Sequence, residues 1–333
     1  MKASVVNPLD IIALQHIEGC GPASTRRICE YLHTHNLKIA TPSDLVDLWP
    51  EMTSLKVVKG KLAELSEDDI VNAYKKAERI LSESENLGIG VMTFYDEKYP
   101  EILKGTINEK DKTDAPILLF YKGDLSALDM PTIAIIGTRE PTDEGVMAGR
   151  YFGKVFAEHG FNVVSGLALG CDTCGHKGAL DAKGVTTAFL AHGLDTIYPP
   201  QNKQLAEEII NNGGLLMSEY PIGTPVSKFS LVDRDRLQSG LSLATLVIQT
   251  GEKGGTMHAA HTTLLAGKPL YAVMYKDMTM PEVQGNIKLQ REGGKFISST
   301  DVNEVIKALQ DASTSKVEQN YSVEQLTLFS DFE

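Results

Sequence analysis

An α/β chain is expected here: an extended Rossmann-like, doubly wound and mostly parallel sheet, preceded by a small all-α N-terminal domain. Three features lead to it. From Gly88 onward, short apolar runs alternate with helix-length amphipathic segments. Glycine-rich turns follow several of those runs, and the first 86 residues carry helix-start signatures in place of strand-like runs. Strands separated by helices make parallel sheets covered on both faces, whose strands read as continuous apolar runs.

Within residues 1–86, Pro8 and Asp10 open one helix, Thr41-Pro42-Ser43-Asp44 a second and Ser66-Glu67-Asp68-Asp69 a third. A Ser, Thr or Asp ahead of an apolar-periodic run accepts hydrogen bonds from the free amides of the first turn. The third helix carries Ile70, Ala73, Tyr74, Ala77, Ile80 and Leu81, an i, i+3/i+4 stripe that buries one face. Strands are expected at Gly90–Phe94, Pro116–Tyr121, Thr132–Ile136, Phe161–Val164, Thr186–Leu190, Leu215–Met217, Thr245–Gln249 and Leu270–Met274. Helices are expected at Asp143–His159, Thr173–Lys183, Asn202–Asn212 and Thr256–Ala266. Residues 87–300 thus form the Rossmann-like domain, and 301–333 a C-terminal helix and flexible tail.

Composition narrows the function. The 333 residues carry a formal net charge of −12, which argues against coating a polyanion, so a nucleic-acid site must be a local positive pocket. Backbone amides can supply part of such a pocket without formal charge. No apolar run nears the ~20 residues that cross a bilayer and no secretory leader is evident, so a cytoplasmic protein with no membrane partner is expected. The four cysteines are too few for a disulfide scaffold and are expected to stay reduced.

The candidate chemistry lies in loops at strand C-termini, where open α/β sheets bind ligands. The first is Gly137-Thr138-Arg139 ahead of a helix near Asp143: a tight turn, a helix N-terminus and a planar guanidinium, together suited to an anion. Its spacing is not Gly-x-Gly-x-x-Gly and no ribose-binding acid follows, which disfavours a dinucleotide oxidoreductase. The second is Ser165-Gly166-Leu167-Ala168-Leu169-Gly170, with Lys177 on the next helix. The third runs from Thr250 through Gly254 and Gly255 to Thr256, opening another helix. Three such loops on one sheet edge make a phosphate-sized cradle.

The ordered runs AIIGTREPTDEG, VVSGLALGCDTCGHKGAL, TTAFLAHGLDTIYPPQN, LLMSEYPIGT, RDRLQSGLS and LVIQTGEKGGTMHAA resemble the DNA-processing protein A family (DprA, also called Smf) over roughly residues 88 to 275. The resemblance implies single-stranded DNA binding, homodimerisation and delivery of the strand to the RecA recombinase. It also implies roles in the DNA site for Gly137, Thr138, Arg139, Ser165, Gly166, Lys177, Arg234, Arg236, Gly254, Gly255 and Thr256. The chain departs from the family pattern at Cys171, where Ile or Val is usual, and at Asp235, where Arg-Asn-Arg is usual. Lys228 replaces a histidine before Phe229, and Met257 and His258 stand where aliphatics are common.

Other readings compete. Cys171-x-x-Cys174 has no second pair to complete a metal site, and His176, His258 and His261 have no third ligand at a defined spacing, so no metal and no cofactor are expected. Ser165 lacks the Gly-x-Ser-x-Gly elbow of a nucleophile. No carboxylate follows the third loop where a phosphoribohydrolase of the same superfamily needs one, so no catalytic residue and no enzyme are expected. A nucleotide-ligand sensor or nucleotide-processing protein of the same Rossmann-like superfamily remains the alternative. Near the N-terminus, Gly19-Cys20-Gly21 with Arg26 and Arg27 resembles a helix-hairpin-helix, used either for phosphate contact or for packing. In the tail, Gln325-Leu326-Thr327-Leu328-Phe329 resembles the motif by which bacterial proteins bind the replicative sliding clamp, which adds that clamp as an expected partner.

Overall fold

The computed structural model describes residues 5–314. The N-terminal part holds α1 (Pro8–His16), α2 (Pro22–Thr34), α3 (Pro42–Ser54) and α4 (Glu67–Asn86). Three of these helices begin with the acidic caps read from sequence. Asn7 and Asp10 form a reciprocal capping box on α1, and Thr41 with Asp44 and Ser66 with Asp69 do so on α3 and α4. The start of α2 escaped that reading because Gly21 caps it without a side chain.

The rest is one nine-stranded sheet. Its strands are β1 (Gly90–Thr93), β2 (Leu118–Gly123), β3 (Thr132–Ile136), β4 (Asn162–Ser165), β5 (Thr186–Leu190), β6 (Leu215–Ser218), β7 (Ala244–Val247), β8 (Leu270–Val273) and β9 (Lys295–Ile297). Their order is β1-β2-β6-β5-β4-β3-β7-β8-β9, with the β1–β2 and β2–β6 pairs antiparallel and the other pairs parallel. The helices are α5 (Glu101–Lys104), α6 (Asp143–Glu158), α7 (Cys171–Asp181), α8 (Lys203–Asn211), α9 (Lys228–Leu241), α10 (Gly255–Leu265) and α11 (Gln284–Arg291). A last helix, α12, covers 302–314.

Strand order runs outward from β3 in both directions, through β4, β5 and β6 on one side and β7, β8 and β9 on the other. Adjacent crossovers therefore leave β3 and β7 towards opposite faces, and a crevice opens at their carboxyl ends. All eight expected strands form; β9 is additional and takes the sheet edge beside β8. Helix α9 was also unforeseen. It buries Arg234, Arg236, Gln238 and Ser239, so its sequence shows no apolar stripe.

The cores cross the expected boundaries. Ile11, Ile28, Trp49 and Tyr74 from the N-terminal helices share one buried cluster with Phe120, Ala188 and Leu190 of the sheet. Val302, Ile306 and Leu309 of α12 pack with Ile133, Phe156 and Val273 on the other side. Among the described residues, no helix is long and apolar enough to cross a membrane.

Candidate functional site

The crevice at the β3–β7 switch is a cleft of about 480 Å³. The loop after β3 contributes Gly137, Thr138, Arg139 and Glu140; the loop after β7 contributes Lys253, Gly254, Gly255 and Thr256; α9 supplies Lys228, Leu231, Val232, Arg234, Asp235 and Gln238. Two of the three glycine loops thus face each other across it.

The first loop is fixed from below. Thr138 donates its amide to Gln249 O at 2.7 Å, and Thr138 O accepts the Cys171 amide at 3.0 Å. Gly137 is required by packing: a Cβ there would lie 2.5 Å from Cys171 Sγ and 2.9 Å from Gln249 O. Arg139 lines the cleft, and its guanidinium has no acceptor among the described residues. Across from it, α10 begins at Gly255 with Gly254 as its cap in a left-handed conformation, φ +125°, that only glycine adopts readily. No side chain caps this helix, and the amides of Gly254, Gly255 and Thr256 have no acceptor among the described residues. Unpaired first-turn amides and the positive end of the helix dipole form an anion site.

The second loop plays a different part. Gly166 donates its amide to Asp172 Oδ2 at 3.0 Å, and Ala168 does so at 3.4 Å, so these amides are already occupied. Ser165 is fully buried and donates its hydroxyl to Ile135 O at 2.6 Å. What the loop positions is Arg234, whose Nη1 donates to the carbonyls of Gly166 and Phe189 while Nε pairs with Asp235 Oδ1 at 3.1 Å. A Cβ on Gly166 would strike this guanidinium. Nη2 of Arg234 has no acceptor among the described residues, leaving one donor edge on the cleft.

Two expected residues lie elsewhere. Arg236 is buried and held by acidic partners: it grips Glu219 through both terminal nitrogens at 2.8 Å, and its Nε donates to Asp114 Oδ2 at 2.7 Å. Nη1 also donates to Asp233 O at 2.7 Å, so four of its five donors are engaged, and Arg236 does not line the cleft. Lys177 sits in the second turn of α7, exposed and off the cleft lining. In the N-terminal hairpin, Gly19 takes φ +81° and Gly21 caps α2. The guanidiniums of Arg26 and Arg27 donate to Ala115 O and Val57 O, and Arg26 also lies 5.6 Å over the Phe94 ring. These contacts pin the hairpin to its surroundings. Gln325, Leu326, Leu328 and Phe329 fall outside the described residues.

Sequence reading missed Lys228 and Lys253, which add two flexible cations to the rim. It also missed the acidic element. Asp172 is buried under the second loop, and Asp235 lines the cleft with Oδ2 turned towards Gly255, where a Cβ would sit 3.0 Å away. Burial pushes the Asp235 carboxyl up to about 6 despite the adjacent Arg234. Gln238 donates to Asp235 Oδ1 at 3.0 Å, and its own Oε1 is buried without a partner among the described residues. Beside the cleft, Phe229 is 88% exposed at the start of α9.

The buried histidines stand apart from this chemistry. Burial lowers the His176 pKa to about 3, and the ring sits 2.6 Å from Thr186 Oγ1. The described residues hold no group of three or more potential metal ligands, and burial raises both the Cys171 and Cys174 thiols.

Comparison with known proteins agrees with this architecture. The DNA processing protein DprA of Bacillus subtilis is 32% identical over 274 residues, covering 79% of this chain and 90% of that protein. The structure of Streptococcus pneumoniae DprA shares the fold with a TM-score of 0.73 at 24% identity, over 90% of this chain and 98% of that one. The structure of Helicobacter pylori DNA processing protein A, described for its single-stranded DNA binding mode, matches at a TM-score of 0.58 and 29% identity, over 67% of this chain and 96% of that one. The family model for DNA recombination-mediator protein A matches residues 90–310, from the first strand of the sheet into the last helix, and the chain belongs to that family.

Proposed function

We propose that the chain binds single-stranded DNA in the β3–β7 cleft and holds it for a RecA-type recombinase, without covalent chemistry of its own. The observation that carries this reading is that Arg139, whose guanidinium has no acceptor among the described residues, lines the same cleft as Gly254, Gly255 and Thr256, whose amides are likewise unpaired. Phosphate fits both sides of that gap: the guanidinium binds it as a fork, and the amides bind it through the helix terminus. Lys228, Lys253 and the free edge of Arg234 extend the cradle, while Gly137, Thr138, Ser165 and Gly166 shape it. Phe229 offers a stacking face for a base next to the phosphates. The net charge of −12 repels a polyanion elsewhere and so restricts binding to this cleft.

A second reading, a nucleotide sensor, is favoured by one feature: about 480 Å³ is a mononucleotide-sized volume. A titration separates the two. A ~20-nucleotide strand, its duplex and free nucleotides are compared at two salt concentrations. Salt-sensitive preference for the single strand supports the first reading, and tight binding of a free nucleotide alone supports the second.

The remaining proposals concern assembly. The chain works in the cytoplasm and forms a homodimer through the sheet domain, where β9 is the open edge and Met274 and Leu265 are about half exposed nearby. A monomer mass in light scattering at tens of micromolar contradicts that. The segment Gln325–Phe329 binds the sliding clamp. A fluorescent peptide of residues 323–333 should lose clamp binding when Leu328 and Phe329 are both changed to Ala.

A further inference from the structure

The N-terminal hairpin takes no part in the cleft, yet the loop packed against it is strongly basic. Between Glu51 and Glu64 the chain holds Lys56, Lys59 and Lys61 and no acidic residue. All three lysines are exposed, and none forms an ion pair among the described residues. In a chain of net charge −12, three unpaired cations so close together are a local exception. Lys56 follows the end of α3 in a left-handed conformation, φ +59°, which glycine fills at lower cost. Charge is thus kept on the surface at a position where the backbone favours no side chain.

This loop is fastened to the hairpin. The Arg27 guanidinium on α2 donates to Val57 O and, at 3.3 Å, to Ser24 Oγ. A Cβ at Gly19 would lie 3.8 Å from Leu62 Cδ2, and Trp49 Nε1 donates to Leu62 O at 2.7 Å. Residues 19–27 and 56–62 therefore form one face, and together they carry five cations, no carboxylate and no aromatic ring. Gly21 and Ala23 are exposed on it, with amides that have no acceptor among the described residues.

We propose that this face is a second DNA surface, which holds the phosphates of a duplex outside the cleft. It goes beyond the single-strand reading and stands independently of it. With no aromatic ring, the face has nothing on which an unpaired base could stack, and its chemistry is that of phosphate contact alone. A duplex presents phosphates most densely, about one charge per 1.7 Å of axis, and its bases need no partner on the protein. Lysines suit an irregular row of phosphates because each is a point charge on a flexible stem. The two surfaces divide the work: the enclosed cleft takes a strand, and the open lysine face takes a duplex. A molecule in which a single strand runs out of a duplex offers each surface its own form of DNA.

The test uses the full chain with a labelled blunt duplex of ~20 base pairs and, separately, a single strand of the same length, titrated across salt concentrations. Wild type should bind the duplex with salt-sensitive affinity. Lys56→Gln, Lys59→Gln and Lys61→Gln combined should weaken duplex binding about tenfold at low salt and make its log–log salt slope shallower by about 2.7. The melting temperature and, within about twofold, the single-strand affinity should stay at wild-type values. The same three positions changed to Arg should keep the wild-type duplex slope. Arg139→Ala should show the converse, losing single-strand affinity and keeping the duplex slope, so failure of the cleft reading is distinct from failure of this one. Lys183, Lys203 and Lys307, exposed elsewhere, supply the control: changing all three to Gln removes the same charge and should leave the duplex slope unaltered. The proposal is overturned if wild type does not bind duplex at low salt, if the Lys56/Lys59/Lys61 glutamine variant keeps the wild-type slope, or if the control variant loses as much.

Discussion

The Asp235 carboxyl should make the proposed DNA binding pH-dependent, and the sign follows from its position. Its carboxyl lies in the cleft with Oδ2 towards the first turn of α10, where the phosphate is proposed to sit. Burial raises its pKa to about 6, so it is ionised at pH 7.5 and opposes an incoming anion. A charge pair ~6 Å apart at an effective dielectric of ~20 interacts by about 3 kcal/mol, and screening and relaxation reduce this to about 1.4 kcal/mol, or one unit of pKa. Bound phosphate then raises the carboxyl further, by that same amount. As pH falls from 7.5 to 5.5 the free protein gains its proton late and the complex early, and affinity rises about sixfold. Asp235→Asn should bind about eightfold more tightly than wild type at pH 7.5 and show almost none of this rise. Fluorescence anisotropy with a labelled oligonucleotide, run on both proteins across that range at fixed ionic strength, reads the difference. A variant with the wild-type pH slope, or with weaker binding at pH 7.5, refutes the reasoning.

Other substitutions separate support from contact. Arg236→Ala should cost about 3–5 kcal/mol in urea unfolding, because it strands Glu219 and Asp114 without their cation; an effect confined to DNA affinity would contradict this. Gly166→Ala should both lower stability by about 1–3 kcal/mol and weaken strand binding, since its methyl displaces Arg234; unchanged anisotropy and melting would oppose the account. Lys177→Ala should leave binding within about 0.5 kcal/mol of wild type, as the side chain is off the cleft, and a loss of salt slope would restore it to the site.

The sheet was legible because its strands are apolar on both faces, and the first and third loops because glycine turns mark strand ends. Arg234 and Arg236 were harder. A charged run reads as a solvated face, yet burial of both guanidiniums against Gly166 O, Asp235 and Glu219 makes α9 a central helix. The second loop misled for a related reason: spacing reveals its amides but not that Asp172, six residues beyond Gly166, accepts from them. Lys228 and Lys253 belong to the site only through the way α9 and the third loop converge, a tertiary fact with no local signature. β9 was passed over because three residues with an exposed first position give little apolar signal.

The central claim is that Arg139 and the start of α10 hold a strand's phosphate. Single-strand affinity measured against salt for wild type and Arg139→Ala tests it most directly. The account predicts weaker binding by the variant, a log–log salt slope shallower by about 0.7 and an unchanged melting temperature. Equal affinity and equal slope in the two proteins would contradict it.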